Sequence, residues 1–436
     1  MTGRESPRTL AAIFRFWVPL AATWLMMAVE GPFLAAVIAR LADPKFNLAA
    51  YGIAFAFAVL VEAPVIMLMS ASTALAKDDA SFRRLRNFTY ALNGIVTATM
   101  VVLLLPPVFD LVMLDVLGLP PEVARLTEGA LWILLPWPGA IGYRRFYQGI
   151  LIREGATRRV AYGTVLRLVT MSVTALVLYV FVAPPGVYVG AAALSLGVSV
   201  EAIASRWMAR RAVNAVRGRE PERQLLSYRR IVNFYYPLAL TSVIGLAVQP
   251  MLTFFMGRAP SPIESLAVYP VVHALSFIFR AMGLSYQEVA IALMGDRFEH
   301  VRPLSTFAVI LGLSSSAGLA FVGLTPFAHV WFETVSGLTT ELARFAIPAT
   351  VILIPLPALS VLMSLQRAIL VVGRHTRPIV GATFFEVGGV AVLFIILINA
   401  TTIPGVTAAV TAFLGGRIAG MSYLMPPCWR VVRAVR

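Results

Sequence analysis

FWVPLA, starting at Phe16, returns as FYYPLA at Phe234, and from there the chain is re-read in order. LAAY at Leu48 recurs as LAVY at Leu266, GLPPEVAR at Gly118 as GLTTELAR at Gly337, and LPWP at Leu135 as IPLP at Ile354. ATRRVAYGT from Ala156 pairs with HTRPIVGAT from His375, and Pro185-Gly186-Val187 with Pro404-Gly405-Val406. The offset holds near about 218 residues throughout, as it does when two copies fold alike and any length change falls in a loop.

The chain has 436 residues, of which 59% are hydrophobic and 13% charged. That balance lies outside the range of soluble domains. About twelve apolar stretches are long enough to cross a hydrocarbon core of about 30 Å. In the first copy they fall near 12–39, 48–76, 88–109, 126–151, 160–182 and 187–208. In the second they fall near 231–256, 265–294, 304–324, 342–372, 379–398 and 406–425. The expected fold is an all-α polytopic membrane protein built from two six-helix bundles, 10–210 and 231–430, joined by a charged linker at 211–230. Six crossings return each copy to its starting side, so the repeats are parallel and related by an axis along the membrane normal.

The net charge of +15 does not signify nucleic acid, because the basic residues alternate by loop and no soluble basic module exists to carry them. One set of loops holds Arg4, Arg8, Arg15, Lys77, Arg83, Arg84, Arg86, Arg153, Arg158 and Arg159. The linker continues it with Arg210, Arg211, Arg217, Arg219, Arg223, Arg229 and Arg230. Arg297, Arg302, Arg374, Arg377, Arg430, Arg433 and Arg436 complete the set, whereas the opposite loops carry mainly Arg40, Lys45, Arg125, Arg258 and Arg344. The positive-inside rule then puts both termini in the cytoplasm of a chain in the inner membrane. The single cysteine, Cys428, permits no disulfide within one chain. The first apolar stretch is long and carries Glu30, so it is expected to be a retained span.

Prolines recur inside spans at matching places: Pro19 and Pro237, Pro32 and Pro250, Pro136 and Pro355, Pro138 and Pro357. Each removes a backbone hydrogen bond, which hydrocarbon tolerates only where protein or water repairs it. Such kinks suit helices that bend, or simply shape packing. Gly186 and Gly190, like Gly416 and Gly420, have the spacing of close helix contacts.

Ionisable residues at membrane depth cost at least about 2.5 kcal/mol each, so they face a partner or a wet cavity. Those singled out are Glu30, Glu62, Arg144, Arg145, Arg167, Arg280, Glu288, Arg367, Glu386 and Arg417, with Gln249 and His273 as further cavity candidates. Glu62 aligns with Arg280 and Arg167 with Glu386, so equivalent positions carry opposite charges. A Glu62–Arg280 pair between the bundles would make a gate, whereas ion pairs within one bundle would be structural. Arg144, Arg145, Arg367 and Arg417 are expected to snorkel toward the interface. Glu30 and Glu62 are the carboxylates best placed to titrate with a coupling ion, Na+ or H+. Arginine outnumbers carboxylate among these residues, which favours an anionic substrate.

The openings FRFWVPLA from Phe14 and FYYPLAL from Phe234, with GILIREGATRRVAYG from Gly149 and PGVYVGAAAL from Pro185, resemble the lobes of the MOP superfamily. That superfamily holds multidrug and toxic compound extrusion (MATE) transporters and lipid-linked oligosaccharide flippases. LAAYGIA from Leu48 and AVYPVVH from Ala267 add a likeness to its progressive ankylosis family. The resemblance implies a twelve-helix exporter working by alternating access, with anions as substrates in the ankylosis branch and cationic drugs coupled to Na+ or H+ in the MATE branch. The major facilitator architecture also has six plus six spans, and MGDRFEHVR from Met294 resembles its loop motif, but AKDDASFRR from Ala76 matches poorly.

The function expected is therefore secondary export of a small organic or phosphate-bearing anion. The alternatives are cation-coupled multidrug extrusion and flipping of an anionic lipid-linked substrate. No GxxxxGK phosphate loop occurs, and His273, His300, His329 and His375 are scattered, so neither direct ATP drive, catalysis nor a metal centre is expected. The partners expected are the lipid bilayer and a small-molecule substrate, without cofactor or nucleic acid, for a chain acting as a monomer.

Overall fold

The computed structural model describes residues 9–220, 226–295, 297–373, 375 and 377–435. Arg4, Arg8, Arg223, Arg374 and Arg436 lie outside them. The first copy begins with α1 (Leu10–Ile38), α2 (Pro44–Glu62), α3 (Leu68–Leu75), α4 (Asp79–Leu103) and α5 (Pro106–Asp110). It continues with α6 (Pro121–Ile133), α7 (Trp137–Arg153), α8 (Thr157–Val177), α9 (Gly186–Met208) and the short α10 (Arg210–Arg217). The second copy follows as α11 (Tyr228–Leu246), α12 (Val248–Met256), α13 (Pro262–Leu293), α14 (Val301–Leu324) and α15 (Phe327–His329). It closes with α16 (Thr340–Ile352), α17 (Leu356–Val372), α18 (Arg377–Ala400) and α19 (Gly405–Val435), and no strand occurs among the described residues.

The repeat is visible in the backbone itself. Asp43 and Ser261 both adopt left-handed φ, 49° and 52°, before Pro44 and Pro262. A proline disfavours the α conformation in the residue before it, so each pair starts a helix with a sharp turn. Leu111–Val116 and Val330–Val335 both form π-helical turns, and each is closed by a left-handed glycine, Gly118 or Gly337.

Among the described residues, nine helical segments are long and apolar enough to span a membrane, and two more spans arise if each bent pair counts once. Those pairs are Asp79–Leu103 with Pro106–Val116, bent by 75°, and Thr340–Ile352 with Leu356–Val372, bent by 41°. The twelfth expected span, 126–151, is broken between α6 and α7 at Pro136 and Pro138, and Arg144 and Arg145 lower its apolarity.

By internal contacts the chain divides differently from its repeats. Val37–Arg258 form one unit, and the chain before Val37 joins the chain after Arg258 in the other. The first helix of each copy thus packs with the remainder of the other copy, a grouping by contact, whereas the 10–210 and 231–430 division follows the sequence repeat. In the 37–258 unit, Ile231 of α11 enters a core with Phe82, Leu85, Phe146 and Ile150. The Tyr235 hydroxyl donates to the Pro64 carbonyl, satisfying backbone at the 3-10 turn Ala63–Val65 that breaks α2 from α3. In the other unit, Ile13, Trp17 and Ala21 of α1 enter a core with Tyr286, Phe307 and Val361, and the Trp17 indole donates to Ser285 Oγ at 2.9 Å.

The linker is not wholly solvated. In α10, Ala212, Val213 and Val216 are buried, while Arg217 at its end and Arg219 just beyond it bond Asp79 at 2.7 Å and Glu154 at 2.8 Å. Arginines at this end also close helix carboxyl ends: Arg153 donates to the Thr73 carbonyl and Arg159 to that of Met208, both at 2.7 Å.

Candidate functional site

Each unit holds a buried charged cluster built on one pair of consecutive helices. In the 37–258 unit the pair is α8 and α9. Gly197 lets them approach: a Cβ there would lie 3.2 Å from the Arg167 carbonyl oxygen. Glu201, fully buried on α9, then meets Arg167 Nε at 3.5 Å. Arg144 and Gln148, one helical turn apart on α7, present the same face to it. Arg144 forms a short charged hydrogen bond to Glu201 Oε2, and Gln148 Nε2 donates to Oε1 at 3.1 Å. Glu62, at the carboxyl end of α2, is 8% exposed and lies in the field of Arg144, Arg145 and Arg167. Its Oε2 has no hydrogen-bond partner.

The other unit uses α18 and α19 with the polarity reversed. Glu386 stands on the fifth helix of its copy and Arg417 on the sixth, 2.8 Å apart. Gly416 and Gly420 form the seam, since a Cβ at Gly416 would lie 2.5 Å from the Glu386 carbonyl oxygen. Arg280 of α13 and Arg417 both lie over the Phe413 ring, at 5.1 and 5.8 Å. Arg367 shares the field of Arg417 and Glu386. His273, two turns before Arg280, lies beside it and against Tyr269, with ring centroids 5.7 Å apart. Nε and Nη1 of Arg280 have no hydrogen-bond partner. Three guanidinium groups therefore surround one carboxylate.

Of the residues selected from sequence, the fold brings Glu62 together with Arg167, and Arg280 with Glu386 and His273. Glu62 and Arg280 belong to different units. Glu288, exposed on α13, accepts a hydrogen bond from Trp24; Glu30 is half-buried on α1, and Gln249 half-buried in the first turn of α12. Two expectations are corrected. Arg144 does not snorkel but is 5% exposed and paired, and Arg417 is held by Glu386, because a buried carboxylate on a neighbouring helix outbids the distant interface. Glu201, the centre of the first cluster, was not among the residues selected from sequence. It lies inside the 187–208 span and meets the criterion that selected the others.

No protein-family model matches the chain, and no curated protein matches it. Solved structures do. A multidrug resistance MATE family transporter of the MOP superfamily, in an inward-facing conformation, superposes with TM-score 0.76 at 17% identity, covering 95% of each chain. The lipid II flippase MurJ, in an inward closed conformation, gives TM-score 0.72 at 14% identity over 96% of this chain and 90% of its own. A MOP superfamily transporter from Pyrococcus furiosus, described as having a binding pocket of reverse polarity, gives 0.67 at 19% identity over 98% and 96%. The fold is that of these MOP superfamily transporters, as the sequence resemblance implied.

Proposed function

We propose that the chain is a secondary active exporter working by alternating access on a small organic or phosphate-bearing anion. The observation that carries this reading is Arg280. Its guanidinium is held over Phe413 with two nitrogens unpartnered, in a cluster where arginines outnumber carboxylates three to one. Guanidinium forks match carboxylate and phosphate oxygens, and buried donors left open gain most from such a ligand. Its transporter fold neighbours support the transport class and a small-molecule substrate. The ankylosis likeness supports the anion, and the loop charges support an inner-membrane protein with both termini cytoplasmic.

A second reading, cation-coupled drug extrusion, is favoured by Glu62, whose Oε2 is unpartnered, and by the MATE neighbours. In either reading the coupling ion, Na+ or H+, would act at a carboxylate such as Glu62, whose Oε2 is open. The test is uptake of labelled citrate, a nucleotide and a cationic dye into inside-out vesicles. Anion uptake that falls at least tenfold in Arg280→Ala supports the first reading. Dye uptake that requires Glu62, lost in Glu62→Gln and unchanged in Arg280→Ala, replaces it with the second.

A further inference from the structure

In the 37–258 unit, α4, α7 and α9 border a groove of about 820 Å³, lined by Gly94, Ala98, Val101, Ala140, Ala202 and Ile203 among others. It opens outward, because Ile203 is 71% exposed. A volume of this size is that of a small-molecule site, and its lining is apolar where a span meets acyl chains. One end is different. Tyr143, which lines the groove, stacks on Tyr90 with centroids 6.0 Å apart and lies 4.9 Å from Tyr147, while the Tyr90 and Tyr147 hydroxyls are 3.3 Å apart. Two guanidinium groups rest on this cluster: Arg206 lies 5.0 Å over Tyr147 and Arg86 6.0 Å from the Tyr90 ring. Arg206 has no carboxylate partner among the described residues. Beside it Trp207 is 65% exposed, the position of an aromatic anchor at a membrane interface.

We propose that this groove binds one anionic phospholipid of the bilayer, with an acyl chain along Gly94, Ala98 and Ala202 and the phosphate held by Arg86 and Arg206 at the tyrosine cluster. Charge complementarity selects the headgroup: two basic groups at interface depth, braced by rings rather than neutralised by carboxylates, attract a phosphate that carries net negative charge. Gly94 leaves the space for the chain, since a Cβ there would meet nothing within 4 Å.

The same gap supplies the test. Gly94→Leu starts its side chain in the groove from a Cβ that meets nothing within 4 Å, and replaces glycine by a better helix former. Full-length protein is purified in detergent, incubated with mixed micelles of phosphatidylglycerol and phosphatidylcholine, and the lipid retained per chain is measured by native mass spectrometry. Wild type is expected to retain one phosphatidylglycerol in preference to phosphatidylcholine. Gly94→Leu is expected to lower that retention at least fivefold with an unchanged melting temperature, and Arg206→Gln to abolish the headgroup preference. Equal retention of both lipids by wild type, or retention unchanged in both variants, overturns the proposal. So does a wild-type dimer by light scattering that Gly94→Leu converts to monomer with lipid retention unaltered, which would make the groove an interface between copies.

Discussion

At the scale of single residues, the two ion-paired seams behave as buried charges do anywhere: removing one partner strands the other. Glu201→Gln leaves Arg144 and Arg167 without their carboxylate. It is expected to destabilise the protein by about 3–5 kcal/mol, read as a lower melting temperature in detergent. The second seam permits a sharper test. Because the first copy places arginine on its fifth helix and glutamate on its sixth, the helix pair accepts either polarity. Glu386→Arg and Arg417→Glu should each destabilise, and the double variant should recover most of the loss, as a double-mutant cycle of melting temperatures would show. Additive losses would mean that the surrounding arginines, Arg280 and Arg367, fix the sign of the site.

At the scale of elements, glycines determine which helices touch. A Cβ at Gly283 on α13 would lie 2.8 Å from the Val361 backbone nitrogen on α17, so the two helices meet backbone to backbone. Gly283→Leu forces them apart and is expected to cost about 1–3 kcal/mol or more by overpacking. Gly388 on α18 has open space where its Cβ would be. Gly388→Ala should therefore be neutral or stabilise by up to about 1 kcal/mol. Thermal unfolding of the two variants side by side separates contact from mere helix propensity. The prolines act at this scale too: Pro136 and Pro355 precede the equivalent α7 and α17, and the second break bends its pair by 41°.

At the scale of the molecule, the compact units exchange the first helix of each repeat. The exchange places α1 against α13: a Cβ on Gly31 would lie 3.0 Å from that of Ala274. With Cys428 replaced by serine, Gly31→Cys with Ala274→Cys should form a disulfide after a shift of about half an ångström. Cleavage in the 211–230 linker should then leave the two fragments joined on a non-reducing gel and separate on a reducing one. Separation without reductant would return α1 to its own repeat.

The sequence by itself determined the two-copy architecture, because hydropathy, proline spacing and paired motifs are local properties that survive without coordinates. It also determined that Arg167 and Glu386, and Glu62 and Arg280, are equivalent positions of opposite charge. Only the tertiary structure decided the partners. Arg144 and Glu201 stand 57 residues apart on helices whose approach depends on glycine seams and packing, and no periodicity along the chain encodes which helix faces which. The membership of α1 and α11 was likewise hidden. Apolar faces of similar composition can be buried against several neighbours, and the choice is made by side-chain shape, as where Trp17 reaches Ser285 and Tyr235 reaches the carbonyl of Pro64.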